Sequence, residues 1–189
     1  MASVAKAAAA CAISRIDSHD ALQKHLPALR SLLQECVNDD PNMSSLGFLA
    51  PLTADAADEY WLSLSESITG PKPITVLLIA EANGQILATA QVARIPKETH
   101  DFRGEVRKLL VRTTTRGSGL GRRMMSELER VALEEMKLDT LSLDTDARTP
   151  AREFYQKLGW NEWGVFPQYA KSANGERHDC AFFCKRLDA

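Results

Sequence analysis

Arg116-Gly117-Ser118-Gly119-Leu120-Gly121-Arg122-Arg123 is the stretch that decides the fold. It lies between the apolar segment Val106–Val111 and a run with Leu120, Met124, Leu128, Val131 and Ala132 at helical spacing. Glycine at alternate positions lets the backbone turn tightly and approach a ligand with no Cβ in the way. The first amides of a helix that starts here lack intrahelical acceptors and carry the positive end of the macrodipole. A phosphate placed there is held mostly by backbone, and flanking arginines add charge-assisted contacts. The spacing excludes G-x-G-x-x-G, because the third residue after Gly119 is Arg122, and it excludes a Gly-Lys-[Ser/Thr] loop, because the chain has no Gly-Lys pair. What remains is R-x-x-G-x-G between strand and helix, read as a pyrophosphate cradle.

Periodicity outward from this loop predicts the remaining elements. Ile13–Ile16 reads as a short strand, followed by a helix from Ser18 or Asp20 to about Val37, with Pro27 interrupting its pattern. Thr53 caps a helix to Ile68, and Gly70-Pro71-Lys72-Pro73 ends it. Thr75–Glu81 and Gln85–Ile95 flank Asn83-Gly84, a hairpin signal. Arg103–Val111 is a third strand, Gly119–Met136 a helix, Leu141–Asp144 a strand, and Thr149–Leu158 a helix with Pro150 at its first position. Trp160–Phe166 and Cys180–Arg186 complete a β-α-α-β-β-β-α-β-α-β-β order. That order predicts a mixed α/β sheet of about seven strands with helices on both faces, in which the central loop–helix–strand supplies the one parallel crossover.

The 189 residues suit one domain, expected over residues 12–189, behind a flexible alanine-rich tail over residues 1–11. Met1–Cys11 lacks the apolar core of a signal peptide. Lys6 and Arg15, with no acid before Asp17, leave a weak mitochondrial presequence as the alternative. The 44% hydrophobic and 25% charged content is that of a globular protein. A net charge of −2 argues against non-specific nucleic-acid binding, and no apolar run approaches the roughly 20 residues of a membrane span. Cys11, Cys36, Cys180 and Cys184 form no C-x-x-C pair. On one strand Cys180 and Cys184 stand about 13 Å apart, beyond the ~7 Å that a disulfide tolerates. A reducing, cytoplasmic setting follows as the expectation. The four histidines, His19, His25, His100 and His178, are scattered, so no metal site is expected.

Glu105-Val106-Arg107-Lys108-Leu109-Leu110-Val111, the Arg116–Gly121 loop, Leu143-Asp144-Thr145 and Ala151-Arg152-Glu153-Phe154-Tyr155 together resemble the Gcn5-related N-acetyltransferases (GNAT). With Pro167, Tyr169 and the Arg177-His178 pair, the likeness points to the branch typified by tabtoxin-resistance acetyltransferases. It spans about Leu46 to Leu187. It implies the GNAT acyl-CoA N-acyltransferase fold and acetyl-CoA as cosubstrate. The pantetheine arm is then expected between two splayed parallel strands, Leu109, Leu110 and Val111 on one and Leu141–Thr145 on the other, pairing with backbone. The amides of Gly117, Ser118, Gly119, Leu120 and Gly121 would hold the pyrophosphate, with Arg116 and Arg122 beside it. In that branch the aspartate matching Asp144 and the tyrosine matching Tyr155 are the proposed catalytic pair.

Acetyl transfer to an amine sets chemical demands that these residue types can meet. A free alkylammonium has a pKa near ~10 and must lose a proton before it attacks. The departing thiolate benefits from a proton donor. Asp144, at the C-terminal end of a parallel strand where α/β crevices open, competes for the base role with Glu105, which matches a glutamate that many acetyltransferases use through water. Glu105 could instead pair with Arg107 or Lys108, since residues two apart on a strand share a face. Tyr155 is the expected donor, with core packing beside Phe154 as its alternative. For Arg122, Arg123 and Arg130 the alternative is a solvated helix face. On the acceptor side Phe48, Tyr169 and His178 are candidate contacts, although a lone histidine is more often structural. The expected acceptor is a primary amine of a small molecule, such as an amino acid or amino-acid-like toxin, met by a monomer or homodimer. A protein N-terminus or lysine as acceptor, or a silent acyl-CoA-binding module, are the rivals.

Overall fold

The computed structural model describes residues 11–187 apart from 43 and 45. Residues 1–10, which hold all but the last residue of the expected tail, lie outside the described residues. Seven strands form one sheet in the order β1-β2-β3-β4-β5-β7-β6. They are β1 (Ala12–Ile16), β2 (Thr75–Ala82), β3 (Gln85–Arg94), β4 (Arg103–Val111), β5 (Thr140–Asp146), β6 (Asn161–Lys171) and β7 (Arg177–Arg186). All neighbours are antiparallel except β4 and β5. The helices are α1 (His19–Asn38), α2 (Ala54–Leu62), α3 (Ser65–Ile68), α4 (Leu120–Glu134) and α5 (Pro150–Lys157).

Each face of the sheet has its own core. On one, Val106, Leu141, Leu143, Ala181 and Phe183 pack against Leu120, Met124 and Leu128 of α4 and Tyr155 of α5. On the other, Leu77, Ile79, Ile86 and Leu110 meet the leucines of α1 and Trp61 of α2. Strand alternation therefore sends Glu105, Arg107, Asp144, His178 and Phe182 to the α1–α2 face. Cys11 is buried, and its carbonyl accepts a hydrogen bond from Arg123 Nη2 at 2.9 Å, so the last residue of the expected tail is packed.

Several boundaries differ from the sequence expectation, for identifiable reasons. Helix α1 runs unbroken through Pro27. Pro27 lies on the exposed side, so water can satisfy the carbonyl that its ring leaves unpaired. The helix expected over Thr53–Ile68 is two pieces, because Ser63 Oγ donates back to Tyr60 O at 2.7 Å and competes with the helical ladder. Strand β6 continues through Pro167 to Lys171 with a break in register between Phe166 and Ala170, and β7 starts at Arg177 to match it.

Two irregularities create the site. Parallel pairing of β4 with β5 is confined to Arg103–Glu105 against Thr140–Ser142, after which the strands part. Gly104 sits where they are closest. A Cβ there would lie 2.9–3.0 Å from Leu138, Leu141 and Val92. On the other side of β4 the register with β3 slips between Thr89 and Gln91, leaving Lys108 and Leu109 as a bulge. Lys108 takes φ +48°, and Thr89 Oγ1 donates to its carbonyl at 2.9 Å.

Candidate active site

The glycine-rich loop lies between β4 and α4. Gly119 is the N-cap of α4, with φ +85°, a left-handed conformation that β-branched residues reach only under strain. No side chain caps this helix and no acid occupies its first turn, whereas Ser18 and Thr53 accept from Ala21 and Ala56 at the starts of α1 and α2. A Cβ on Gly117 or Gly119 would meet nothing within 4 Å. The first amides of α4 thus face open space without a built-in acceptor, which fits the pyrophosphate of acetyl-CoA. Arg122 is exposed and has no partner among the described residues. Arg116 spends its Nε on Val111 O at 3.2 Å, and Ser118 Oγ donates to Thr115 O at 2.7 Å. Arg123 and Arg130 turn elsewhere, to Cys11 and to Glu127, Glu134 and Glu135.

Leu110 and Leu120 are buried at 2% and 1% exposure, so they can meet a cosubstrate only through main chain. Leu109, Val111 and Thr145 are half-buried along the parted edges of β4 and β5.

Tyr155 is buried against Phe154, Trp160 and Phe183, at ring-centroid distances of 5.2, 6.0 and 5.8 Å. Its hydroxyl makes no hydrogen bond among the described residues, and it is not one of the fully buried polar atoms left without a partner. Burial first, and the Asp144 charge second, push its pKa up. Asp144 and Tyr155 belong to opposite faces of the sheet, and the charge of Asp144 still acts on the Tyr155 hydroxyl.

Asp144 keeps solvent-exposed surface, but protein crowds its carboxylate. Burial and then the neighbouring Glu105 raise its pKa, against the opposing pull of Lys108, His178 and Arg107. Glu105 is engaged by Arg107 Nη2 in an ion pair, the pairing that strand geometry allows. Lys108 was legible only as a possible partner of Glu105. Its Nζ instead donates to Leu46 O at 2.7 Å and lies 5.3 and 5.2 Å from the ring centroids of Phe48 and Tyr60. Burial, then Arg107, lowers its pKa. Tyr60 and Gln91 exchange hydrogen bonds at 3.1–3.2 Å behind this group. Phe48 therefore stands at the wall of the crevice, edge-on to Tyr60.

His178 takes the structural alternative. Its side chain has no exposed surface and lies 3.5 Å from buried Asp146, which removes it from direct reach of an acceptor. Arg148 grips Asp146 through Nε and Nη2 and also donates to Ser172 Oγ at 2.8 Å. Burial pushes the Asp146 carboxyl up, but the Arg148 bonds prevail and hold it below the usual range. The β6–β7 turn is tied down as well: Ala50 N–H donates to Ala173 O and Ala173 N–H to Ser44 O, both at 2.8 Å. Tyr169 stays 51% exposed on the same face.

A parallel pair that parts beyond Glu105, an uncapped glycine-rich helix start and neighbouring carboxylates are features that a transferase binding an acyl carrier by backbone needs. Residues 28–160 match the model of the acetyltransferase (GNAT) family, and the chain belongs to that family. Membership makes it an acetyl-CoA-dependent N-acetyltransferase. The fold is shared with an N-acetyltransferase from Staphylococcus aureus Mu50, at 18% identity and TM-score 0.74, over 94% of this chain and 99% of that one. It is also shared with yncA from Salmonella typhimurium, solved with its cofactor acetyl-CoA, at 16% identity and TM-score 0.73, over 95% of each chain. A ribosomal-protein-alanine N-acetyltransferase from Brucella melitensis matches at 22% identity and TM-score 0.70, over 93% and 99%. No helix among the described residues is long and apolar enough to cross a membrane.

Proposed function

We propose that the protein acetylates a primary amine of a small molecule, an amino acid or amino-acid-like toxin or antibiotic, by direct transfer in the manner of the tabtoxin-resistance branch. The observation that carries this reading is the parting of β4 from β5 beyond Glu105 and Ser142, beside the uncapped glycine-rich start of α4, with Asp144 on β5 just past that point. Acetyl-CoA bound in that gap supplies the activated thioester. The main chain of Leu109–Val111 and Thr145 would hold its pantetheine arm, and residues 116–122 its phosphates.

Asp144, its pKa raised by burial and by the neighbouring Glu105, takes the proton that the ammonium must lose. Glu105, committed to Arg107, is the weaker candidate for that task. Tyr155, kept protonated by burial, gives a proton to the departing sulfur. The pinned β6–β7 turn closes one end of the acceptor face, which favours a compact substrate over an extended peptide. The four free thiols support a cytoplasmic location.

A thiol-release assay comparing free amines and amino acids with peptides tests the reading. Turnover is expected with free amines. Acceptance of peptides alone would replace the acceptor class, and acetyl-CoA binding with no turnover of any amine would make the chain a silent sensor.

A further inference from the structure

Helices α1 and α3 pack mainly on β2, β3 and β4. Beyond the tip of the β6–β7 turn, the same face of β7 and β6 stays open, and it is lined with rings. Phe182 is the direct cross-strand partner of Asp144, which sets the two Cβ atoms about 5 Å apart. Phe182 packs against Trp163 at 5.3 Å and edge-on to Tyr169 at 4.9 Å, and Tyr169 meets Phe166 at 5.3 Å. Trp163, Phe166 and Tyr169 remain 63, 58 and 51% exposed. A contiguous apolar patch of this kind on a soluble surface marks a contact site. Its inner edge abuts the carboxylate of Asp144, and Glu105 follows one strand further on. Rings adjoining carboxylates complement a flat apolar body joined to an ammonium, and the spacing between Phe182 and Asp144 sets how far apart the two ends are.

We propose that the acceptor is a primary amine borne on a short alkyl chain by an aromatic ring, the ring resting on Phe182, Trp163 and Tyr169 while the nitrogen meets Asp144. This rests on the small-amine reading above and narrows it. In the transfer the amine nitrogen bonds the acetyl carbon as the carbon–sulfur bond breaks, and the bonding pair leaves with sulfur. Of the two protons that the ammonium gives up, one balances the thiol and the other reaches solvent through Asp144.

Trp163 provides a direct readout, because the other two tryptophans, Trp61 and Trp160, are 0 and 3% exposed. Iodide quenching of the intrinsic fluorescence therefore reports chiefly on this ledge. Phenethylamine is expected to shield Trp163 saturably and propylamine is not, and Trp163→Phe should abolish the response. In the thiol-release assay phenethylamine should show a KM at least about tenfold below that of propylamine. Trp163→Ala, at an exposed position where folding is little affected, should raise the phenethylamine KM about fivefold with a smaller change in kcat. Equal KM values and no shielding overturn the ledge while leaving the small-amine reading intact. Turnover of no free amine overturns that reading itself. Shielding that grows with protein concentration in the absence of amine, with a doubled mass in solution, assigns the ledge to a second copy and overturns the proposal.

Discussion

Asp144 and Glu105 share a face of adjoining strands, but their neighbours make them unequal. Glu105 is held by Arg107, whereas burial and the Glu105 charge push Asp144 upward. Asp144→Asn is expected to lower kcat about 10²-fold or more near neutrality, with partial recovery at high pH where more amine is already neutral. Glu105→Gln should be milder. Because the active form of Asp144 is the deprotonated one and its pKa is raised, the acid limb of the kcat/KM profile should lie above the ordinary carboxylate range. It should disappear in Asp144→Asn. A crippled Glu105→Gln beside a near-native Asp144→Asn would reverse the ranking. Tyr155→Phe removes one hydroxyl and little packing, so kcat should fall about 10²-fold with acetyl-CoA affinity nearly unchanged. Full turnover with chemistry rate-limiting would leave Tyr155 a core residue. The resemblance, together with the strand-end position of Asp144, made both carboxylates legible in sequence, and strand alternation made the Glu105–Arg107 pair legible. Lys108 was not, since a bulge breaks that alternation, and nothing local to His178 announces that Asp146 will bury it.

Helix α4 and strand β4 do the positioning, and they differ in how openly the sequence declares them. The glycines before α4 are read directly, because a left-handed N-cap and a close phosphate demand them. Gly119→Val forces a β-branched residue to φ +85° at a strain cost on the order of 1–3 kcal/mol. The new side chain meets no protein atom within 4 Å of its Cβ, so under the proposed reading its steric effect would fall on the cosubstrate. Acetyl-CoA affinity by calorimetry should drop roughly tenfold or more, and native-like affinity would mean that the cradle lies elsewhere. The parting of β4 from β5 has no such signature. It depends on where pairing stops, which the register with β3 and the packing of Gly104 against Leu138 and Leu141 decide. The same holds for β6, whose continuation past Pro167 is set by its partner β7, and for α1, where solvent tolerates Pro27.

At the scale of the molecule, the α1–α2 face is assembled from two halves. One is the helical cover over β1–β4, and the other is the β5–β7–β6 half, joined to it through the β6–β7 turn. Ala173 at that turn is 1% exposed within the α1-side core, and Arg148 links Ser172 to Asp146. Asp146 is thus placed to couple the stability of the fold to the position of the β6–β7 turn. Its folded pKa is depressed, so its contribution is fully present above the unfolded value near ~3.9 and is lost as pH falls through the lower folded value. Asp146→Asn keeps the shape but removes the charge that Arg148 and His178 face. It should destabilise the fold by about 1–2 kcal/mol at neutral pH, seen as a Tm lowered by about 2–8 °C. The gap from the native protein should close in acid below the ordinary carboxylate range, where the native carboxyl is itself protonated. Loosening the turn should raise the amine KM more than the acetyl-CoA KM, because the cradle at α4 belongs to the opposite face. A Tm gap that persists unchanged in acid would show that the Asp146 charge is not what fastens the two halves.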